Sequence, residues 1–319
     1  MRLRPDPFIV LLMLAAVVAT VLPATGTTFD ALRVVMAVAI GLLFFLYGTR
    51  LSTAEALAGL RNWRLQVLLL LTTFAVFPVL GLAAGLLLAS VLTPGLAAGV
   101  LLLCAVPSTI QGCVVYTRIA SGNTAAAVVS ASVSNLVGVF LTPALVAVLM
   151  SADARVDAAS VLRIVLQLLA PFILGQLVRP LLGGWVTRHD PRLRVFDRSS
   201  IVLVIYVAFS EGATADVWAA VRLVDALVVS VVCVVLFVVV LAWILGVGRL
   251  AGFSRGDRVA MLFCGSSKSL ASGLPMATVL FSSSDVALLV LPLMLYHQIQ
   301  MIAGGVIAGR LGQASGGTS

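Results

Sequence analysis

Apolar residues fill most of the chain in long runs, and short polar stretches containing Arg, Pro or Gly separate these runs. An α-helix needs ~20 residues to cross the hydrocarbon core of a bilayer, so each run predicts one membrane span. Ten spans are predicted, at about residues 8–24, 32–48, 65–90, 96–118, 123–150, 160–181, 200–215, 220–247, 258–281 and 285–310. The pattern therefore predicts an all-α polytopic membrane protein with ten transmembrane helices.

The composition supports a membrane protein. Of the 319 residues, 61% are hydrophobic and 10% are charged, whereas roughly a quarter of a soluble domain is charged. The net charge of +8 comes without a basic stripe or an aromatic platform, so no nucleic-acid partner is expected. All four cysteines lie in apolar runs, which favours buried core residues over disulfides or a zinc site. The expected partner is the lipid bilayer.

The distribution of arginine predicts the orientation in the membrane. Of the 19 arginines, 15 fall in loops on the side of the N-terminus and four on the opposite side. The positive-inside rule then places both termini of this multi-pass protein in the cytoplasm. The first span also resembles a signal peptide. We favour a retained helix, because the internal repeat described next requires it.

The two halves of the chain, residues 1–153 and 154–319, resemble each other. Polar residues recur after nearly the same interval, in the pairs Glu55 and Asp216, Asn123 and Asp285, and Asn135 and His297. Because five is an odd number of spans, the second copy must enter the membrane from the opposite side. We therefore predict two inverted five-helix repeats, a common plan of secondary transporters. Chance similarity between apolar sequences is the alternative.

Spans 4 and 9 are interrupted by polar and helix-breaking residues at equivalent places. These residues are Pro107, Ser108, Thr109, Gln111 and Gly112 in span 4, and Gly265, Ser266, Ser267, Lys268, Ser269, Ser272, Gly273 and Pro275 in span 9. Lipid offers no hydrogen bonds, so the released backbone groups must find partners or line a wet cavity. Half-helices beginning near Ser108 and Ser267 would point their positive ends at the centre. Packing of small residues between helices is the alternative.

Lys268 is the only lysine of the chain and lies near the middle of span 9. A charged lysine at the bilayer centre costs ~2.5–3.5 kcal/mol on insertion scales. A side chain so far from either helix end does not easily reach the membrane surface, so we predict a functional group. Serine hydroxyls, helix C-terminal carbonyls and an anionic substrate are its candidate partners.

Spans 5 and 10 add polar residues at helical spacing. Ser130 and Ser134 lie one turn apart on span 5 with Asn135 beside them, and His297 and Gln300 lie one turn apart on span 10. His297 could relay protons near neutral pH or form a helix-to-helix hydrogen bond. Together with the polar residues of the two interruptions, these side chains form the predicted substrate- or ion-binding site.

At these residues the chain resembles the bile acid:sodium symporter superfamily (solute carrier family ten), most closely its bacterial branch similar to the member-7 type. The likeness covers nearly the whole chain and includes "VPSTIQGCVVYTRIASGNTAAAVVSASVSNLVGVFLTP" and "CGSSKSLASGLPMATVLF". The resemblance implies a panel domain of spans 1, 2, 6 and 7 and a core domain of spans 3–5 and 8–10. It also implies that spans 4 and 9 are unwound and cross in the core. Since the branch is bacterial, we expect the protein in the inner (plasma) membrane.

The sodium chemistry implied by the resemblance does not match the residues of span 9. Bile acid symporters carry an acidic residue and a glutamine near the crossing, whereas residues 261–272 contain no Asp, Glu or Gln. A sodium ion beside a charged Lys268 would be repelled. We expect no cofactor and keep the proton and sodium as candidate coupling ions.

The leading hypothesis is a secondary active transporter that moves a small organic anion by alternating access. Lys268 would bind the anion or, by changing its protonation, couple transport to protons. A sodium-coupled symporter is one alternative, and a membrane regulator or sensor that binds a ligand without moving it is another. Catalysis is not expected, because the flanking glycines and the repeat explain the serines beside Lys268 without a Ser/Lys nucleophile.

Overall fold

The computed structural model describes residues 7–50, 62–150, 158–215, 222–281 and 283–316, and within these ranges the regular structure is entirely helical. Helices satisfy their own backbone hydrogen bonds, as lipid requires. In chain order they are α1 (Pro7–Val21), α2 (Gly26–Arg50), α3 (Trp63–Leu71), a π-helical turn (Thr72–Val76), α4 (Phe77–Leu87), α5 (Pro94–Ala105), α6 (Ile110–Ile119), α7 (Thr124–Met150), α8 (Ala158–Thr214), α9 (Leu223–Leu250), α10 (Arg255–Ser266), α11 (Leu270–Leu280) and α12 (Ser283–Gly316).

Several of these helical segments are long and apolar enough to cross a bilayer. Within the described chain they are Gly26–Arg50, Trp63–Leu87, Thr124–Met150, Leu223–Leu250 and Val286–Gln313. Val10–Val21 and Pro94–Ala105 are shorter apolar helices. The predicted class, an all-α membrane protein, agrees with this architecture. The count of ten spans and the inverted repeat stay predictions.

The fourth and ninth apolar runs are each divided into two helices, as predicted. Residues 106–109 separate α5 from α6, and residues 267–269 separate α10 from α11. Val106 and Ser267, the first residue of each interruption, have extended backbone and end the helix before them. Pro107 follows in the first interruption and has no amide hydrogen to donate to the preceding turn. In both runs, therefore, some backbone groups have no hydrogen-bond partner within their own helix.

The polar stretch between predicted spans 6 and 7, expected to be a loop, is helical, because α8 continues without a break from Ala158 to Thr214. The polar stretch between the two spans contains Asp190 and Arg194, which form an ion pair four residues apart. Such a pair stabilises a helix by ~0.2–0.5 kcal/mol, and this one lies within a sequence that has the composition of a loop.

Contacts with α2 show that α8 is bent. Phe172 lies against Gly48, and Asp197 bonds Arg50 only two residues further along α2. A straight helix would place Phe172 and Asp197 ~38 Å apart, farther than two residues of α2 and one arginine side chain can reach. Helix α8 contains three prolines, two of them between these contacts, and proline is the usual cause of sharp bends.

Helices α2 and α8 approach each other closely at two glycines. A Cβ atom on Gly48 would lie 2.1 Å from the carbonyl oxygen of Phe172, and one on Gly175 would lie 2.1 Å from that of Phe45. Small residues allow such backbone contact between membrane helices. Helix α1 also packs on α8, so α1, α2 and α8 form one group.

An ion cluster holds the end of α2 against α8. Arg50 donates to Asp197 at 2.5 Å and lies 3.5 Å from Asp190. Burial raises the pKa of the Asp197 carboxyl, and the positive charge of Arg50 opposes that rise. The cluster fixes the polar part of α8 to the group of helices α1 and α2.

The remaining helices, α3–α7 and α9–α12, surround the two interruptions. Helix α12 packs on α5, α9 packs on α10, and α7 packs on α6. Lys268 and Tyr296 are fully buried at the centre of this group. The four cysteines are free and buried, so the prediction that they are core residues rather than disulfides is confirmed.

Candidate functional site at the crossing of two interrupted helices

The two interruptions lie in contact, and each satisfies backbone groups of the other. The amide of Ser269 donates to the carbonyl oxygen of Pro107 at 2.7 Å. The hydroxyl of Ser108 donates to the carbonyl oxygen of Cys264 at 2.6 Å. The released backbone groups therefore bond within the protein, which is one of the two outcomes that the sequence allowed.

The side chain of Lys268 is 0% exposed, and its ammonium donates three hydrogen bonds. The acceptors are the carbonyl oxygens of Thr73 at 3.0 Å and of Cys104 and Val106 at 2.9 Å each. The nitrogen also lies 4.0 Å from the ring centroid of Phe77, which is a cation–π distance. An ammonium has three N–H groups, so its donors are all in use.

Two of the three carbonyls, those of Thr73 and Cys104, are available because the local backbone leaves them without helical donors. In the π-helical turn the amide of Phe77 bonds Thr72, and the next donor along the chain would be Pro78, which has no N–H. The carbonyl of Thr73 is thus left for Lys268. The amide of Ser108, which would bond Cys104 in a continuous helix, donates to Ser134 instead.

Gln300 holds the backbone of Lys268 from α12. Its side-chain oxygen accepts from the amide of Lys268 at 2.7 Å, and its nitrogen donates to the carbonyl of Lys268 at 2.9 Å. These two bonds fix the orientation of the amide. The same nitrogen lies 2.9 Å from Nδ1 of His297.

The sequence allows His297 to act as a proton relay or to form a helix-to-helix bond. Its bond to Gln300 lies within α12, three residues along the helix. Through Gln300, His297 is connected to the backbone of Lys268 on the second interruption. His297 therefore belongs to the second-interruption side of the site, and the proton-relay role stays a prediction.

Asn135 connects the first interruption to α11. Its side-chain nitrogen donates to the carbonyl of Ser108 at 2.7 Å, and its oxygen accepts from the hydroxyl of Ser272 at 2.7 Å. The hydroxyl of Ser269 accepts from the amide of Ser272 at 3.1 Å and caps the start of α11. Ser134 accepts from the amide of Ser108 at 3.1 Å. These five polar residues form one continuous network.

The other predicted site residues are more peripheral to this network. Ser130 is buried and accepts from Gln66, and Ser266 bonds the preceding turn of its own helix. Ser267 is buried at the end of α10. Thr109 precedes α6 without a side-chain capping bond. The side chain of Gln111 lies outside the part of the chain that the structure describes.

Sequence reasoning missed several residues that build the site. Thr73 and Phe77 lie on the third run, far from both interruptions in sequence, and Tyr296 donates to the carbonyl of Ser266 at 2.7 Å. The third run did carry a sequence signal for a free carbonyl, because Pro78, five residues after Thr73, removes a backbone donor. The aromatic Tyr296 is indistinguishable by sequence from an ordinary packing residue.

The arrangement can hold a positive charge without a counter-ion. The groups that contact the ammonium of Lys268 are carbonyls and an aromatic ring, within the described residues. Its hydrogen bonds go to backbone oxygens and not to the neighbouring serine hydroxyls, so the geometry offers no lysine-activated serine. Backbone dipoles and an aromatic ring therefore surround the buried charge of Lys268.

Replacing Asn135 with Ala is expected to destabilise the crossing by ~1–3 kcal/mol, because the carbonyl of Ser108 and the hydroxyl of Ser272 lose their partner. Thermal unfolding of the purified protein measures the effect. Ser132→Ala on the same helix is the control, since Ser132 takes no part in these bonds. Equal melting temperatures of the two variants would contradict the role of Asn135.

The described residues form membrane-length helices and two interrupted helices that cross at a buried ammonium. This is the architecture of a membrane transporter. The sequence model of the SBF-like CPA transporter family matches residues 6–313. The chain belongs to this family, and the resemblance to the bile acid:sodium symporter superfamily is confirmed.

Three relatives match over almost their full length. The uncharacterised protein PA2026 of Pseudomonas aeruginosa is 45% identical over 97% of this chain and 93% of its own. YfeH of Escherichia coli, whose name describes a symporter, is 40% identical over 96% of this chain and 92% of its own. Sodium/bile acid cotransporter 7 of Mus musculus is 26% identical over 96% and 92%.

Proposed function

We propose that the protein is a secondary active transporter that moves a small organic anion across the inner membrane by alternating access. In this mechanism α1, α2 and α8 form the panel, and α3–α7 with α9–α12 form the core. The close packing of α2 on α8 supports the panel as a unit, and the hydrogen-bond network around the crossing supports the core as a unit. Between them, the hydroxyl of Tyr47 lies 3.5 Å from the carbonyl of Ala271, next to the second interruption.

The observation that carries the anion assignment is a buried ammonium without a carboxylate in contact, within the described chain. Helices α6 and α11 begin beside this group, and helix N-termini carry a partial positive charge. Although the C-terminal end of α5 also lies against the amine, the ammonium leaves the centre with one net positive charge, which attracts an anion and repels a free cation.

Lys268 is proposed as the proton-coupling group of the cycle. A charged amine supplies the three N–H groups that the carbonyls of Thr73, Cys104 and Val106 accept. A neutral amine has two N–H groups and a lone pair, which would face a carbonyl oxygen and be repelled. Loss of the proton would therefore open this arrangement. Direct binding of the anion is the second role, and it requires the ammonium to leave at least one carbonyl.

Sodium-coupled symport is the second candidate function. The name of sodium/bile acid cotransporter 7, which is similar over nearly the whole chain, favours it. The ammonium of Lys268 opposes it, because a sodium ion placed near this charge would be repelled.

The proposal also includes the topology of the chain. It consists of two inverted five-helix repeats, residues 1–153 and 154–319, and both termini lie in the cytoplasm. Asn135 and His297 are predicted to be equivalent. Asn135 bonds the backbone of the first interruption directly, and His297 reaches that of the second through Gln300. This correspondence supports the repeat. Reporter domains fused to each end, active only in the cytoplasm, test the orientation, and an inactive fusion at either end would contradict it.

Uptake into proteoliposomes tests the function. We expect the wild-type protein to accumulate one class of organic anion, from a set of carboxylates and sulfonates, when a pH gradient is imposed. A sodium gradient alone should give background uptake. Uptake that follows sodium and ignores pH would favour the symporter, and tight binding without uptake of any anion would indicate a regulator or sensor.

A further inference from the structure

The amine of Lys268 lies in a pocket that we call the carbonyl cage, formed by the carbonyl oxygens of Thr73, Cys104 and Val106 and the ring of Phe77. The three oxygens lie 2.9–3.0 Å from the nitrogen, and the ring centroid lies 4.0 Å from it. These are ordinary lengths for charge-assisted N–H···O bonds. The cage thus matches the three donors of an ammonium ion.

The cage attracts cations by itself. The carbonyls of Cys104 and Val106 lie at the C-terminal end of α5, where the helix dipole is negative. Thr73 contributes a carbonyl that the π-helical turn and Pro78 leave without a helical donor. The face of Phe77 adds attraction for a weakly hydrated cation such as an organic ammonium. An empty cage would leave three buried acceptors unsatisfied, which is costly.

We infer that the carbonyl cage is a binding site for primary ammonium ions, which the native chain fills with its own Lys268 amine. This inference goes beyond the proposed function, since it concerns the ligand that the cage selects and not the solute that crosses the membrane. Replacing Lys268 with Ala removes three side-chain carbons and the nitrogen. The space left has the shape and charge preference of n-propylammonium.

The test is thermal unfolding of purified Lys268→Ala with increasing n-propylammonium near pH 7, where the amine is charged. We expect a saturable rise in melting temperature of about 5 °C, because a ligand that binds only the folded state stabilises it. n-Propanol has the same length without the charge, tetramethylammonium has the charge without N–H donors, and sodium chloride controls for ionic strength. None of the three should reproduce the rise.

Lys268→Met is the matched control, because its side chain fills the space of the lysine stem and should exclude the added amine. The inference would be overturned by an equal rise in the melting temperature of Lys268→Met. An equal rise of Lys268→Ala with n-propanol, tetramethylammonium or sodium chloride would also overturn it. If Lys268→Ala does not fold, the native protein still tests the inference, because its single lysine gives one ammonium signal in NMR spectra after ¹⁵N-lysine labelling. Slow proton exchange is expected, and fast exchange would overturn the proposal. Neither readout involves transport.

Discussion

Lys268→Met is expected to abolish uptake and to lower the free energy of unfolding by about 3 kcal/mol. The variant loses three charge-assisted hydrogen bonds, each worth ~1.5–3 kcal/mol. It also removes a buried charge, whose cost on insertion scales is ~2.5–3.5 kcal/mol. The lost bonds outweigh the relief, because the carbonyls of Thr73, Cys104 and Val106 stay buried without a donor. Thermal unfolding and proteoliposome uptake measure the two effects.

Lys268→Arg separates charge from geometry. Its guanidinium keeps the positive charge, but it is planar and larger than an ammonium. The three carbonyls surround one nitrogen at 2.9–3.0 Å, so we expect uptake of Lys268→Arg to fall nearly as far as that of Lys268→Met. Full activity of Lys268→Met would show that the crossing needs no ammonium. Full activity of Lys268→Arg would show that charge alone is sufficient.

Gly48→Ala is expected to destabilise the protein by ~3 kcal/mol, at the upper end for an overpacked contact. The added Cβ would lie 2.1 Å from the carbonyl oxygen of Phe172. Neither atom belongs to a flexible side chain, so α2 and α8 must separate and lose packing along their length. The melting temperature of the purified variant and its yield in detergent measure the change.

Gly41→Ala is the matched control for this prediction. Gly41 lies on the same helix, and a Cβ there would meet nothing within 4 Å. Alanine has the higher helix propensity by ~1 kcal/mol, so Gly41→Ala should melt at the wild-type temperature or slightly above it. If Gly48→Ala and Gly41→Ala melt alike, the close contact between α2 and α8 is not required for stability.

The interruptions of the fourth and ninth runs were predictable because their causes are local. Pro107 removes a backbone donor whatever surrounds it. The glycines and serines near Lys268 disfavour a helix through backbone entropy and competing side-chain hydrogen bonds. The continuous helix α8 was not predictable from the same signals. Its polar middle has the composition of a loop, and the contacts with α2 that accompany the helical stretch, such as Asp197 with Arg50, join residues far apart in sequence.

The composition of the site was predictable in part. Ser108, Ser134, Asn135 and Ser272, chosen for their polarity in apolar runs, do form one network. Which of the three candidate partners Lys268 uses could not be read from the sequence. The acceptors are backbone carbonyls, and every residue has one, so no residue type marks them.

The sequence by itself determined a helical membrane protein, two interrupted spans and one ammonium group placed in the second of them. Hydrophobic run length, proline chemistry and the rarity of charge in lipid are sufficient for these conclusions. Only the tertiary structure decided that Thr73, separated by 195 residues from Lys268, completes its surroundings. The physical reason is that a buried charge is stabilised by whichever dipoles the packing brings within hydrogen-bonding distance, and packing depends on the whole chain at once.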